Sequence, residues 1–186
     1  MIVLATESPY KIEQFQSLGI PFQTYAANID ESKVQSLSDL SVAEKAKLLA
    51  NQKALKAKEK YPQATIIAGD QIAALENQVL TKPGNFQNNL EQLLMLQGKE
   101  HQLYTANCIL KPNGEYLEAL EIAKMQMHEL SKDDIAKYLE MDKPFDCAGG
   151  YKYESTAGNQ LFSKVEVGDP TSIQGLCLNF LKEQLT

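Results

Sequence analysis

The stretch Ile66-Ile67-Ala68-Gly69-Asp70-Gln71-Ile72-Ala73 holds the residue types most suited to chemistry: an apolar run is broken by one carboxylate and one carboxamide, then resumes. An ionised carboxylate in a dry interior is costly unless it is paired, hydrogen-bonded or metal-bound. Asp70 therefore stands at the wet end of a strand, opens a tight turn after Gly69, or sits where its charge is needed. A second acidic group is Asn28-Ile29-Asp30-Glu31-Ser32. Adjacent acids of this kind are usually solvated or serve in a cap, and less often hold Mg²⁺ or Mn²⁺, which prefer oxygen ligands. Three lysines offer the opposite charge. Lys53 interrupts a helix face made of Ala46, Leu49, Ala50, Ala54 and Ala57, so it either snorkels to solvent or points into a cleft. Lys82 returns from a hairpin turn at Glu76-Asn77-Gln78 whose first arm begins at Asp70, which makes the two candidate neighbours, as a plain ion pair or as a phosphate ligand beside a metal ligand. Lys11 lies in Ser8-Pro9-Tyr10-Lys11, where Ser8 is a good N-cap and Pro9 a good first helical residue. The first-turn amides there offer an anion site, with simple capping as the plainer explanation.

The elements that must position these groups follow from periodicity. Ile2 to Ala5 reads as a short buried strand, a helix follows with Ile12, Phe15 and Leu18 on one side, and Gly19 ends it. Phe22 to Ala26 reads as a strand, Val42 to Lys58 as a helix, and a further strand ends at Asp70. A helix over Phe86 to Leu96 precedes two long strands, His101 to Leu110 and Glu115 to Met127, joined at Lys111-Pro112-Asn113-Gly114. Ser131-Lys132-Asp133-Asp134 is a capping-box pattern opening a helix through Met141, which Lys143-Pro144 stops. In Phe145 to Ser155 the glycines permit close backbone approach, and the aromatic and charged residues could contact a base; a loop packed by Tyr151 and Tyr153 is the alternative. A strand over Leu161 to Val167, a turn and a terminal helix from Ile173 to Leu185 complete the chain.

Composition bounds the function. A chain of 186 residues with 44% hydrophobic content is in the single-domain range, as one body or as two lobes around a cleft. The net charge of -6 argues against a general nucleic-acid surface, although local lysines can still take a small anion. Cys108, Cys147 and Cys177 form no zinc motif, and an odd count fits a reducing compartment. The amino terminus lacks a secretory pattern and no stretch approaches 18 apolar residues, so the expectation is a cytoplasmic protein with no membrane partner.

The order of these segments resembles the Maf family, also called septum-formation-inhibitor-like proteins. The resemblance spans nearly the whole chain. It rests on Ser8-Pro9-Tyr10-Lys11 with Glu13, Ile29-Asp30-Glu31, Lys53-Ala54, Gly69-Asp70-Gln71, Lys82-Pro83, Gly98 through His101 to Thr105, Asp146 through Glu154, and Gly175-Leu176. It implies an α/β fold related to the inosine triphosphatases (Maf/Ham1), a twisted mixed sheet flanked by helices with a central nucleotide cleft. The implied activity is nucleoside triphosphate pyrophosphatase chemistry on a small-molecule nucleotide, with a divalent metal (Mg²⁺, Mn²⁺ or Co²⁺), and the family allows a homodimer. Gln71 after Asp70, and the loop Cys147-Ala148-Gly149-Gly150-Tyr151-Lys152-Tyr153-Glu154, resemble the branch that hydrolyses 7-methyl-GTP. The alternatives are dTTP, UTP or another modified nucleotide, or a nucleotide-binding regulator of cell division with weak catalysis.

The resemblance also distributes roles. Asp70 is the general base, with Glu31 and Asp70 as metal ligands, Glu13 as a further candidate and Asp30 structural. Ser8, Lys11, Lys53 and Lys82 bind the phosphates, and Tyr10, Gln71 and Glu154 set specificity. A methylated guanine carries positive charge and two N–H donors on one edge, which suits an aromatic ring and a carboxylate. His101 either donates a hydrogen bond in the site or is structural. Three positions depart from the family pattern: Lys11 replaces the usual Arg, Ala106 a common Gly, and Cys177 the usual Pro. The first keeps the charge and gives up the bidentate fork.

Overall fold

A computed structural model describes residues 1–185 of the chain. It is a mixed α/β fold: β1 (Ile2–Leu4), α1 (Pro9–Gln16), β2 (Gln23–Thr24), α2 (Glu31–Gln35), α3 (Val42–Lys60), β3 (Thr65–Leu75), β4 (Gln78–Leu80), α4 (Phe86–Leu96), β5 (Glu100–Leu110), β6 (Tyr116–Met127), α5 (Lys132–Asp142), α6 (Thr156–Asn159), β7 (Phe162–Glu166) and α7 (Leu178–Leu185). The strand order is β2-β1-β3-β5-β6-β7, with β4 paired to β3. β1 runs parallel to β2 and β3, whereas the β3/β4 and β6/β7 pairs are antiparallel.

The chain divides into two compact units. The first holds Met1–Gln71, Thr105–Glu121 and the chain from Asp169 onward; the second holds Ile72–Tyr104 and Ile122–Gly168. In the first, the parallel pairing of Val3 with Ile66 and Leu4 with Ile67 lays β1 beside β3. One face of this part packs Leu4, Ile67 and Ile109 against Phe15, Leu176 and Leu181, with Phe22 edge-on to Phe15 at 4.8 Å. The other face meets α3, where the Cys108 thiol donates to the Ala50 carbonyl at 3.5 Å. α3 starts at a full capping box, Ser41 with Glu44, and its buried side is mostly alanine, which lets the helix lie close to the strands. In the second unit, α5 opens on the expected Ser131/Asp134 capping box and stops at Lys143, which turns left-handed at φ 45°.

Three elements differ from the periodicity. β3 does not end at Asp70 but runs on to Leu75, because β1 pairs its first half, β4 pairs Ala73 to Leu75, and the Asp70 charge is matched where it lies. β2 is two residues rather than five: its partner β1 is three residues long, and after the Tyr25 N–H reaches the Leu4 carbonyl there is no strand left to pair with. The terminal helix begins at Leu178 rather than Ile173. Pro170–Gln174 forms a separate 3₁₀ turn, closed by Gly175 at φ 110°, a left-handed conformation that suits glycine.

Candidate active site

Asp70 lies mid-strand in β3 and is 5% exposed. Alternation along the strand places Ala68 and Asp70 on the α3 side, while Ile67, Gly69 and Gln71 face the opposite way. The Lys53 ammonium comes in from α3, 2.5 Å from Asp70 Oδ1 and 2.7 Å from Glu31 Oε1. Lys53 thus neither snorkels outward nor makes a single pair; it links the two carboxylates that the sequence singles out. Burial pushes the Asp70 carboxyl above its ordinary range, against the pull of Lys53 and Lys11. Burial pulls Lys53 down, but Asp70 and Glu31 outweigh it and its net direction is up. Two carboxylates sharing one ammonium keep Lys53 charged and leave Asp70 a stronger base than an ordinary aspartate.

Around Asp70 the remaining first-unit candidates divide clearly. The Lys11 ammonium donates to the Gly69 carbonyl at 2.9 Å, and its aliphatic stem lies against Gly175, where a Cβ would stand 2.7 Å from Lys11 Cε. Ser8 acts as the N-cap of α1, accepting from the Lys11 N–H at 3.5 Å. Tyr10 is half-buried and Glu13 exposed on the same helix. Asp30 accepts from the Ser32 hydroxyl and pairs with Lys33, a local role at the start of α2. Gln71 Nε2 lies 2.9 Å from Thr105 Oγ1, 2.9 Å from the Ser172 carbonyl and 3.0 Å from the Ile173 carbonyl. Two of these partners can only accept, which fixes the amide's orientation.

The second unit carries Lys82, exposed after β4, and Glu154, exposed in the 145–155 loop. That loop is held by specific bonds: the Lys152 N–H donates to Tyr138 Oη at 2.9 Å, Lys152 Nζ to the Asp142 carbonyl at 2.9 Å, and Ser155 to Asp142. His101 is buried, with Nε2 2.8 Å from Tyr151 Oη, and its ring lies edge-on to Tyr151. Burial pulls its pKa down to about 4. Burial thus keeps the ring neutral against Tyr151.

The sequence patterns passed over several polar residues that shape the first unit. Gln14, on the buried side of α1, donates to the Thr171 and Leu176 carbonyls at 2.5 and 3.1 Å. Asn107 is a buried carboxamide within the apolar run Ala106 to Leu110. The signal for Asn107 is that interruption, the same kind that marks Asp70.

Among the described residues, no three His, Cys, Asp or Glu gather into a group able to hold a metal. Mg²⁺ needs no such cage, since one or two carboxylates with water and substrate phosphates suffice. Glu31 and Asp70, both within 2.7 Å of the same ammonium, fit that donor set.

Comparison with known proteins bears on the family and the fold. The family model described as Maf-like protein matches residues 1–186. A 7-methyl-GTP pyrophosphatase of Colwellia psychrerythraea is 36% identical over 178 residues, 95% of this chain and 87% of its own length. One from Bdellovibrio bacteriovorus is 36% identical, covering 95% and 91%. A nucleoside triphosphate pyrophosphatase of Legionella pneumophila is 34% identical, covering 95% and 88%. Among solved structures, the Staphylococcus aureus Ham1 protein matches 99% of this chain and 97% of its own with a TM-score of 0.50 at 17% identity, a likeness of fold. The chain belongs to the Maf family.

Proposed function

We propose that this protein is a nucleoside triphosphate pyrophosphatase that hydrolyses 7-methyl-GTP to 7-methyl-GMP and diphosphate. The observation that carries the proposal is the buried Asp70 on Lys53, beside Glu31: a carboxylate made more basic by burial and kept from collapse by one shared cation. The substrate follows the relatives named as 7-methyl-GTP pyrophosphatases, which the chain matches over almost its full length.

In the reaction, Asp70 takes a proton from water as the water oxygen bonds to the α-phosphorus. The α-phosphorus to bridging-oxygen bond breaks and diphosphate leaves with the bond's electron pair. An ordinary aspartate, with a pKa near 3.9, is a weak base for water, so its raised value is part of the mechanism. Lys53 and Lys11 hold positive charge beside Asp70 and neutralise the triphosphate, the role the resemblance also gives Lys82. A divalent cation on Glu31 and Asp70, with Glu13 as a further ligand, would supply charge neutralisation and lower the pKa of the attacking water. Gln71, its amide locked by three acceptors, keeps its carbonyl oxygen for an N–H of the base. Glu154 accepts from the N1 and N2 donors of guanine, and the Tyr10 ring stacks on the cationic methylated base. The odd count of cysteines, Cys108, Cys147 and Cys177, suits a cytoplasmic setting.

The deciding experiment is a nucleotide panel with Mg²⁺, Mn²⁺ or Co²⁺, reading diphosphate against orthophosphate. Diphosphate release with 7-methyl-GTP turned over well above GTP, dTTP and UTP is the expected result. Equal turnover of GTP and 7-methyl-GTP would overturn the substrate, and orthophosphate release the reaction.

A further inference from the structure

Asn107 is the least expected side chain beside the middle of β3. It sits on buried β5 at 1% exposure, flanked by Ala106, Cys108, Ile109 and Leu110, where an apolar residue would serve packing alone. Its two polar atoms have separate tasks. Oδ1 accepts from the Cys177 N–H at 2.5 Å, and Nδ2 donates to the Ala106 carbonyl at 2.8 Å. Nδ2 also lies over the Cα of Gly69, so close that a Cβ on Gly69 would overlap it. The amide therefore fills the space left by the missing side chain immediately before Asp70.

The segment that Asn107 holds at Cys177 also grips the catalytic strand elsewhere. Its Ser172 and Ile173 carbonyls take Gln71 Nε2, and Thr105 Oγ1 donates to Ser172. Gly175 backs the Lys11 stem, and Lys11 in turn donates to the Gly69 carbonyl. The start of α7 is capped by three side chains in register: Asn107 for the Cys177 N–H, Thr171 Oγ1 for Leu178 at 2.9 Å, and Asp169 Oδ2 for Asn179 at 3.0 Å. A buried N–H at position 177 requires an acceptor, and Asn107 is the residue that supplies it.

We infer that Asn107 is a positioning residue for Asp70: it locks the 171–177 segment to β5 and seats its amide on Gly69, which fixes the backbone from which the Asp70 carboxylate projects. The inference rests on Asp70 being the base. A fraction of an ångström at a general base changes proton transfer more than it changes nucleotide binding, so the effect falls on kcat.

The test uses Asn107→Leu, with Asn107→Val as a strand-compatible second variant. Turnover is referred to the folded fraction measured by circular dichroism. The expected result is a kcat fall of about 5- to 20-fold with KM within about twofold for each variant. A folded N107L or N107V with parental kcat, whatever its Tm, overturns the inference and leaves Asn107 a stabilising residue only. Asp70→Asn run alongside separates the two readings: near-parental kcat there overturns the base assignment and this inference with it, whereas an inactive D70N beside a fully active N107L overturns this inference alone.

Discussion

The Lys53 ammonium stands 2.5 Å from Asp70 Oδ1 at a strand position that is 5% exposed, and it reaches Glu31 with the same nitrogen. One cation thereby keeps two carboxylates together. Mutual repulsion would otherwise drive them apart or protonate one of them.

That arrangement makes Asp70→Asn the most informative substitution. It keeps shape and hydrogen-bonding capacity but cannot take a proton. Diphosphate release should fall by about 10²- to 10⁴-fold, the usual weight of a general base. Nucleotide affinity, read by calorimetry, should remain within a few-fold of the parent.

Lys53→Met should harm both stability and binding. Asp70 would be left buried with Glu31 and without its nearest cation; breaking a buried pair in this way costs about 3 kcal/mol or more. Glu31 is half-exposed and contributes little to that figure. Urea denaturation at neutral pH checks the stability, and a raised KM checks the phosphate role. A K53M protein as stable as the parent would show that the pair is not the strand's support.

Gly175→Ala should act on Lys11. The residue sits at φ 110°, and a methyl there meets the Lys11 stem at 2.7 Å. Backbone strain of about 1 kcal/mol is expected. A displaced ammonium should raise KM for the nucleotide several-fold, in the direction of Lys11→Ala but smaller. Steady-state kinetics on both variants gives the comparison.

His101 sets an acid limit on stability. Its folded pKa of about 4 lies below the ordinary 6.5, because burial disfavours the imidazolium. The unfolded chain therefore binds more protons between those values. Stability is fully present above about pH 6.5 and is lost as pH falls toward 4, by about 3 kcal/mol in all. His101→Gln can still meet Tyr151 Oη and should flatten the dependence of Tm on pH across that window; a parallel curve would contradict the assignment.

Glu154→Ala should erode the preference for the methylated base. Turnover of 7-methyl-GTP should fall by about tenfold relative to GTP, because the N1 and N2 donors are common to both nucleotides and only the cationic base loses a facing negative charge. An unchanged ratio of kcat/KM values would remove Glu154 from base recognition.

How much of this was legible in the residues differs by kind. Local chemistry was: the capping box at Ser131, the Ser8 cap, and the alanine face of α3 depend on neighbours within one turn, and the structure has them at those places. The ordered stations from Ser8-Pro9 to Gly175-Leu176 were enough for the family, because their sequence spacing is itself the signal. The odd carboxylate at 70 and the odd lysine at 53 were visible as interruptions of apolar patterns. That they answer each other was not, since their meeting depends on how α3 lies on β3, which no local rule supplies. The same reason explains the late start of the last helix. Apolar spacing from Ile173 onward favours an early start, but Gly175 closes a separate turn and the Cys177 N–H is taken by Asn107 on β5, far away in the sequence. The sequence by itself determined which side chains carry charge and which segments repeat with helical or strand period; tertiary packing decided which charges share a proton's surroundings, because burial and through-space distance set a carboxylate's basicity.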